Sequence, residues 1–163
     1  MNDKNSGMYS PDILIVDDVS DNLKLLMNLL IPAGYKVRPA SNGAEALAAV
    51  VQKKPDLILL DISMPGSGIE AARKISRVFP VIQIVMLTVS ENDEDVTAAL
   101  QAGARGYILK GVGGFELTEI VRAITRGESY VSPDLAARLL SVMGGGTAEK
   151  RSETSLLSEL TAR

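Results

Sequence analysis

Five polar side chains in this 163-residue sequence each stand at the end of a run of apolar residues: Asp17 and Asp18, Asp61, Thr88 and Lys110. Three carboxylates in one crevice would repel each other by about 4 kcal/mol per pair at about 4 Å and an effective dielectric constant of about 20. A hard divalent cation such as Mg²⁺ removes that repulsion. A hydroxyl and an ammonium beside it complete the surroundings that a phosphoryl group needs. The residue types therefore indicate phosphoryl-transfer chemistry, with Asp61 as the nucleophile.

The apolar runs that precede these side chains predict the strands of a parallel sheet. Leu57 to Leu60 shows no polar alternation, so both of its faces require burial, as in a central strand with helices on each side. We expect strands at 13–16, 35–40, 56–61, 82–87 and 107–109. We expect a first helix that carries Leu23, Leu26, Met27 and Leu30, with Ser20 or Asp21 as its N-cap. Further helices are expected at 44–53, 67–78, 92–102 and 115–126.

The alternation of five strands with five helices predicts an α/β fold. Its sheet should be doubly wound, parallel and five-stranded, in the flavodoxin-like order 2-1-3-4-5, with helices on both faces. Ligands bind at the carboxyl ends of the strands in such sheets. We therefore expect the five polar side chains to converge on one edge of the sheet.

The composition excludes several other kinds of site. The sequence contains no cysteine and no histidine, which removes disulfides, thiolate and imidazole metal sites, and histidine-based catalysis. Any metal must then be bound by oxygen atoms. The net charge of −3 argues against binding of nucleic acid by this chain itself. The absence of cysteine makes a cytoplasmic location the default expectation. No apolar run approaches the roughly 18 residues of a membrane helix, so we expect no membrane partner.

Residues 11 to 130 resemble the receiver domain of two-component response regulators. The motifs that carry the resemblance are Val16-Asp17-Asp18, Asp61-Ile62-Ser63-Met64-Pro65-Gly66, Leu87-Thr88 and Gly103-Ala104-Arg105-Gly106-Tyr107-Ile108-Leu109-Lys110. The resemblance implies a magnesium site made by Asp17, Asp18, Asp61 and the carbonyl of Ser63. It also implies that Thr88 and Lys110 bind the phosphoryl group and that Tyr107 is a rotameric switch.

The resemblance further implies a signalling role. Asp61 would accept a phosphoryl group from a partner sensor histidine kinase, and the chain would catalyse only its own phosphotransfer and dephosphorylation. Two departures from the family pattern stand near this site. The loop after Gly66 is one residue shorter than usual, and Val89 follows the switch threonine, where many receivers carry a smaller residue.

The segment from Ala123 to Pro133 is similar to the end of receivers in the NarL/LuxR-type branch of transcription factors, as is Leu135 to Leu140. Leu160-Thr161-Ala162-Arg163 resembles the opening of their DNA-binding domain. We therefore expect a disordered leader at 1–10, a receiver domain at 11–130, and a short helix with a flexible linker at 131–163. The helix-turn-helix output domain would be missing from this chain. DNA would be bound only through that domain, and phosphorylation would favour a homodimer.

Three alternatives share part of this pattern. A dinucleotide-binding domain is rejected, because Asp17-Asp18-Val19-Ser20-Asp21 has no glycine and three negative charges where pyrophosphate would bind. A haloacid-dehalogenase-type phosphatase would normally carry a second aspartate where this chain has Ser63. A degenerate receiver that only binds proteins is disfavoured by the intact acidic motif.

Overall fold

Six strands and five helices alternate along the described part of the chain. The computed structural model describes residues 9–64, 68–89, 92–133, 136, 137, 140 and 141. Its strands are β1 (Asp12–Val16), β2 (Lys36–Ala40), β3 (Leu57–Leu60), β4 (Gln83–Thr88), β5 (Gly106–Leu109) and β6 (Tyr130–Val131). Its helices are α1 (Ser20–Leu30), α2 (Gly43–Gln52), α3 (Gly68–Val78), α4 (Asp93–Gln101) and α5 (Gly114–Thr125). The strands form one parallel sheet in the order β2-β1-β3-β4-β5-β6.

The predicted α/β class and the order of the first five strands are confirmed. The sequence analysis did not predict β6, which extends the sheet beyond β5. Tyr130 pairs with Gly106 and Val131 with Tyr107, and the Tyr130 N–H donates to the carbonyl of Arg105 at 3.0 Å. Two residues are too few to show a strand periodicity, so only the tertiary pairing reveals this strand. It lies across the boundary predicted between the receiver and the linker.

Each face of the sheet carries its own apolar core. Alternate residues of β1 and β3, such as Leu14 and Ile58, pack on the face covered by α2, α3 and α4. Their neighbours, such as Ile13 and Leu57, pack on the face covered by α1 and α5. Both strands are buried on both sides, as the unbroken apolar runs predicted.

Helix ends follow the expected chemistry at α2 and differ from it at α1. The side chain of Asn42 accepts the N–H of Glu45 and caps α2. The expected cap of α1 by Ser20 or Asp21 is wrong, since the helix starts at Ser20 and its N-cap residue is Val19, with no side-chain cap. The carboxylate of Asp17 accepts the Val19 N–H at 2.9 Å, which orders the turn before α1.

The segment after β6 turns into helix among its described residues. Positions 133, 136, 137, 140 and 141 are helical, and the Ala136 N–H donates to the carbonyl of Ser132 at 2.8 Å. The leader at 1–8 and the stretch from 142 onward, including most of the predicted linker, lie outside the described residues. Among the helices that the structure describes, none has the length and apolar character needed to cross a membrane.

Candidate functional site

Three carboxylates meet where two adjacent central strands end. Asp17 and Asp18 follow β1, Asp61 follows β3, and the Asp61 N–H donates to the carbonyl of Val16 at 3.0 Å, which fixes the two strand ends side by side. One carboxylate oxygen from each aspartate lies within 4.8 Å of the other two. Asp17 and Asp61 are buried, and Asp18 is exposed. This cluster has the hard oxygen donors and the spacing to hold a divalent cation.

Lys110 extends its ammonium group into this cluster from the end of β5. Its Nζ lies 2.8 Å from Oδ2 of Asp17 and 3.5 Å from Oδ2 of Asp61. Its backbone N–H donates to the carbonyl of Thr88 at 2.8 Å, so the lysine is anchored to the end of β4. Burial by itself would lower the pKa of Lys110, but the hydrogen bond to Asp17 and the charges of Asp61 and Asp17 raise it above its usual value.

The carboxylate of Asp61 is held by two partners that face different oxygens. Its Oδ1 accepts the N–H of Ser63 at 3.1 Å, and its Oδ2 faces Lys110. Burial raises the pKa of Asp61 above its usual value, and the negative charge of Asp17 adds to this. The Ser63 hydrogen bond and the positive charge of Lys110 act in the opposite direction without cancelling the effect of burial.

Thr88 and Tyr107 lie on the same face of the sheet, Thr88 on β4 next to the strand that precedes Asp61, and Tyr107 on β5, one strand farther away. Thr88 ends β4 and pairs with Leu109, while Tyr107 pairs with Met86 two positions earlier. Both side chains are fully buried, and Tyr107 belongs to the apolar core beneath α3 and α4. The position of Thr88 matches the expectation from the strand ends. The switching role of this pair and the metal-binding role of the Ser63 carbonyl stay predictions.

Asn22 is a residue of this site that the sequence analysis missed. Its Nδ2 donates to Oδ2 of Asp17 at 3.1 Å, from the first turn of α1. The signal was present in the sequence, because Asn22, Leu26 and Leu30 are spaced by four residues and the two leucines form the buried stripe of α1. A polar side chain on an otherwise buried stripe points to a specific hydrogen-bond partner.

The first residue of α3, Gly68, lies close to the backbone of Asp61. The N–H of Gly68 donates to the carbonyl of Ile62 at 3.2 Å. A Cβ atom on Gly68 would overlap the carbonyl oxygen of Asp61 and would lie 2.9 Å from its carbonyl carbon. A larger residue would force Asp61 or the start of α3 to shift, so this position favours glycine.

Comparison with known families agrees with this arrangement. Residues 13–122 match the family described as the response regulator receiver domain. The chain belongs to this family. The resemblance carried by the sequence motifs is thus confirmed, and receiver domains are signalling domains.

Two curated response regulators are similar to this chain over its receiver part. Response regulator GacA of Pseudomonas viridiflava is 43% identical over 104 residues, which is 63% of this chain and 49% of that protein. Oxygen regulatory protein NreC of Staphylococcus carnosus is 35% identical over 121 residues, 73% of this chain and 56% of that protein. The chain spans about half the length of these curated relatives.

A solved structure gives the same result. A two-component response regulator of the LuxR family from Aurantimonas sp. SI85-9A1 superposes with a TM-score of 0.77 at 29% sequence identity. The match covers 83% of this chain and 99% of that one. The predicted NarL/LuxR-type branch is therefore confirmed.

Proposed function

We propose that this receiver takes a phosphoryl group from a partner histidine kinase onto the carboxylate of Asp61. The observation that carries the proposal is the ammonium of Lys110 beside Asp17 and Asp61, within a cluster of three carboxylates at the ends of β1 and β3. The ammonium group and the cation that the carboxylates would bind together supply the positive charge that a transferring phosphoryl group requires.

Mg²⁺ fits the donors of this cluster, since carboxylate oxygens are the hard ligands that it prefers. Asp17, Asp18, Asp61 and the carbonyl of Ser63 would hold it. When bound, it neutralises charge on the phosphoryl oxygens and relieves the repulsion among the three carboxylates.

The chemical step forms one bond and breaks another. A carboxylate oxygen of Asp61 attacks phosphorus and forms an acyl phosphate, while the bond between phosphorus and the donor imidazole nitrogen breaks and the imidazole leaves. Lys110 then turns its ammonium from Asp17 toward a phosphoryl oxygen, and the hydroxyl of Thr88 donates to another. Movement of Thr88 is the signal that Tyr107 would relay to the α4 and β5 region.

Exposed apolar side chains beside the acidic cluster support a protein as the phosphoryl donor. Val19, whose backbone N–H donates to Asp17, is 48% exposed, and Leu25 is 60% exposed. Leu25 lines the same cleft as Asp17 and Lys110, between α1 and α5. Exposed apolar side chains next to a reactive group are typical of a docking surface for a partner protein.

Membership of the NarL/LuxR-type branch supports a transcriptional output. We propose that the protein acts in the cytoplasm, that phosphorylation favours a homodimer, and that DNA is bound through a helix-turn-helix domain beyond the receiver. The net charge of −3 supports the proposal that this chain does not bind DNA by itself. A mobility-shift assay at about 50 mM salt, where electrostatic binding is strong, tests this point, and a retarded DNA band would contradict it.

Intact mass measurement after incubation with acetyl phosphate and Mg²⁺ tests the acceptor function. We expect one added phosphoryl group in the wild-type chain and none in Asp61→Asn or with excess chelator. Steady turnover of p-nitrophenyl phosphate would instead favour a phosphatase of the haloacid-dehalogenase type.

A further inference from the structure

Among the described residues, Asp17 accepts three hydrogen bonds, and two of them end on the same oxygen. Lys110 Nζ and Asn22 Nδ2 both donate to Oδ2, at 2.8 and 3.1 Å. The backbone N–H of Val19 donates to Oδ1 at 2.9 Å. Each carboxylate oxygen offers two lone pairs. Lys110 and Asn22 together fill both sites on Oδ2, whereas Oδ1 keeps one lone pair after the bond from Val19.

The two donors on Oδ2 differ in what they do during phosphoryl transfer. Lys110 also faces Asp61 at 3.5 Å, and under the proposed function it moves to the phosphoryl group. Asn22 is fixed on the first turn of α1 and has no such second task among its described contacts. When Lys110 leaves, the amide of Asn22 is the side-chain donor that remains on Asp17.

We propose that Asn22 is a positioning residue, whose amide holds the Asp17 carboxylate in orientation for the divalent cation and takes over this task fully when Lys110 turns away. The orienting part follows from the hydrogen bonds to Asp17, and the take-over part rests on the proposed function. Hydrogen-bond donors behind a metal ligand fix its rotation, and their loss typically costs about 10- to 100-fold in metal affinity.

A double-mutant cycle of Mg²⁺ affinity tests the proposal without any phosphorylation. The variants are Asn22→Leu, Lys110→Met and the two combined, with Kd measured by titration calorimetry. Leucine keeps the approximate size of asparagine and removes the donor. We expect Asn22→Leu to weaken Mg²⁺ binding by roughly threefold when Lys110 is present and by about tenfold or more in the Lys110→Met background.

Asn28→Leu is the matched control, because it makes the same chemical change at an exposed position of the same helix. It should leave the Kd for Mg²⁺ unchanged in both backgrounds. Thermal melting followed by circular dichroism verifies folding, and Asn22→Ser replaces Asn22→Leu if the leucine variant does not fold.

Equal effects of Asn22→Leu in the two backgrounds would overturn the proposal, as would an equal effect of Asn28→Leu. The outcomes separate this inference from the proposed function. If the wild-type chain binds Mg²⁺ but the effects of Asn22→Leu and Lys110→Met on the Kd are additive, only the role of Asn22 is refuted. The effects of the two substitutions could instead be non-additive as expected while the wild-type chain takes no phosphoryl group from acetyl phosphate. That result refutes the acceptor function and the take-over by Asn22, while the orienting role stands.

Discussion

The ammonium nitrogen of Lys110 lies 2.8 Å from Oδ2 of Asp17, although 93 residues separate them in the sequence. This ion pair joins the end of β5 to the end of β1 across two intervening strands, β4 and β3. Both side chains are largely buried, so solvent screens the attraction only weakly. The lysine thus offsets part of the repulsion among the three carboxylates before any cation binds.

Replacement of Asp18 should weaken the cation site without weakening the fold. Asp18 is the exposed member of the cluster, and its removal relieves like-charge repulsion in the metal-free protein. We expect Asp18→Ala to lower Mg²⁺ affinity and to leave the metal-free melting temperature unchanged or slightly higher. Calorimetric titration and thermal melting in chelator measure the two effects, and a lower metal-free melting temperature would contradict the explanation.

The stability of the metal-free protein should depend on pH through Asp61. Burial raises the pKa of Asp61, so the folded chain holds this proton more tightly than the unfolded chain and ionisation of Asp61 costs stability. Asp61→Asn should therefore stabilise the metal-free protein at neutral pH. The gain should shrink as the pH falls through the raised pKa of Asp61 and vanish below about 3.9, the unfolded value.

Urea unfolding of wild type and Asp61→Asn at several pH values, in chelator, measures this dependence. The difference between the two midpoints should be largest near neutral pH. A difference that stays constant down to about pH 3.9 would show that the ionisation of Asp61 is not its cause.

Addition of a methyl group at Gly68 should disturb the acceptor itself. The new Cβ would overlap the carbonyl oxygen of Asp61, so Asp61 or the start of α3 must shift. We expect Gly68→Ala to cost about 1–3 kcal/mol of unfolding free energy, as overpacking does, and to slow phosphorylation by acetyl phosphate. Chemical denaturation and time-resolved intact mass measure the two effects.

Gly111→Ala is the control for that substitution. A Cβ at Gly111 would meet no heavy atom within 4 Å, and the residue follows Lys110 directly. Its effect should stay within about 0.5 kcal/mol, as is usual for surface changes. Equal losses in the two variants would show that the contact between Gly68 and Asp61 has no special role.

Thr88→Ala should separate phosphorylation from signalling. The variant keeps Asp61 and Lys110 and should still accept a phosphoryl group, but it lacks the hydroxyl that we propose connects the group to Tyr107. We expect beryllofluoride to change the tyrosine NMR signal of Tyr107 in wild type and to leave it unchanged in Thr88→Ala, with Tyr107→Phe providing the assignment. The same shift in both proteins would contradict the coupling, because a switch requires a contact that differs between its states.

The sequence predicted those parts of the site that lie at strand ends. Leu57 to Leu60 could be placed in the centre of the sheet because an unbroken apolar run requires burial on both faces, and this placed Asp61 beside Asp17. The position of Lys110 at the end of β5 followed in the same way.

The parts that the sequence did not predict depend on individual tertiary contacts. β6 forms because Tyr130 and Val131 find hydrogen-bond partners along β5, which a two-residue pattern cannot show. The spacing of Asn22 from Leu26 and Leu30 indicates that its side chain faces inward, but it does not reveal Asp17 as the hydrogen-bond partner, which is a single tertiary contact. α1 starts at Ser20, one or two residues earlier than a cap by Ser20 or Asp21 would give, and the Asp17 carboxylate orders the turn before it.

Chemical identification of the phosphorylated residue tests the acceptor function most directly. After incubation with acetyl phosphate and Mg²⁺, borohydride reduces an acyl phosphate of aspartate to homoserine, and peptide mass spectrometry locates the change. We expect homoserine at position 61 and at neither position 17 nor position 18, with none formed in chelator. Reduction at another aspartate, or the same yield at position 61 without a divalent cation, would contradict the account.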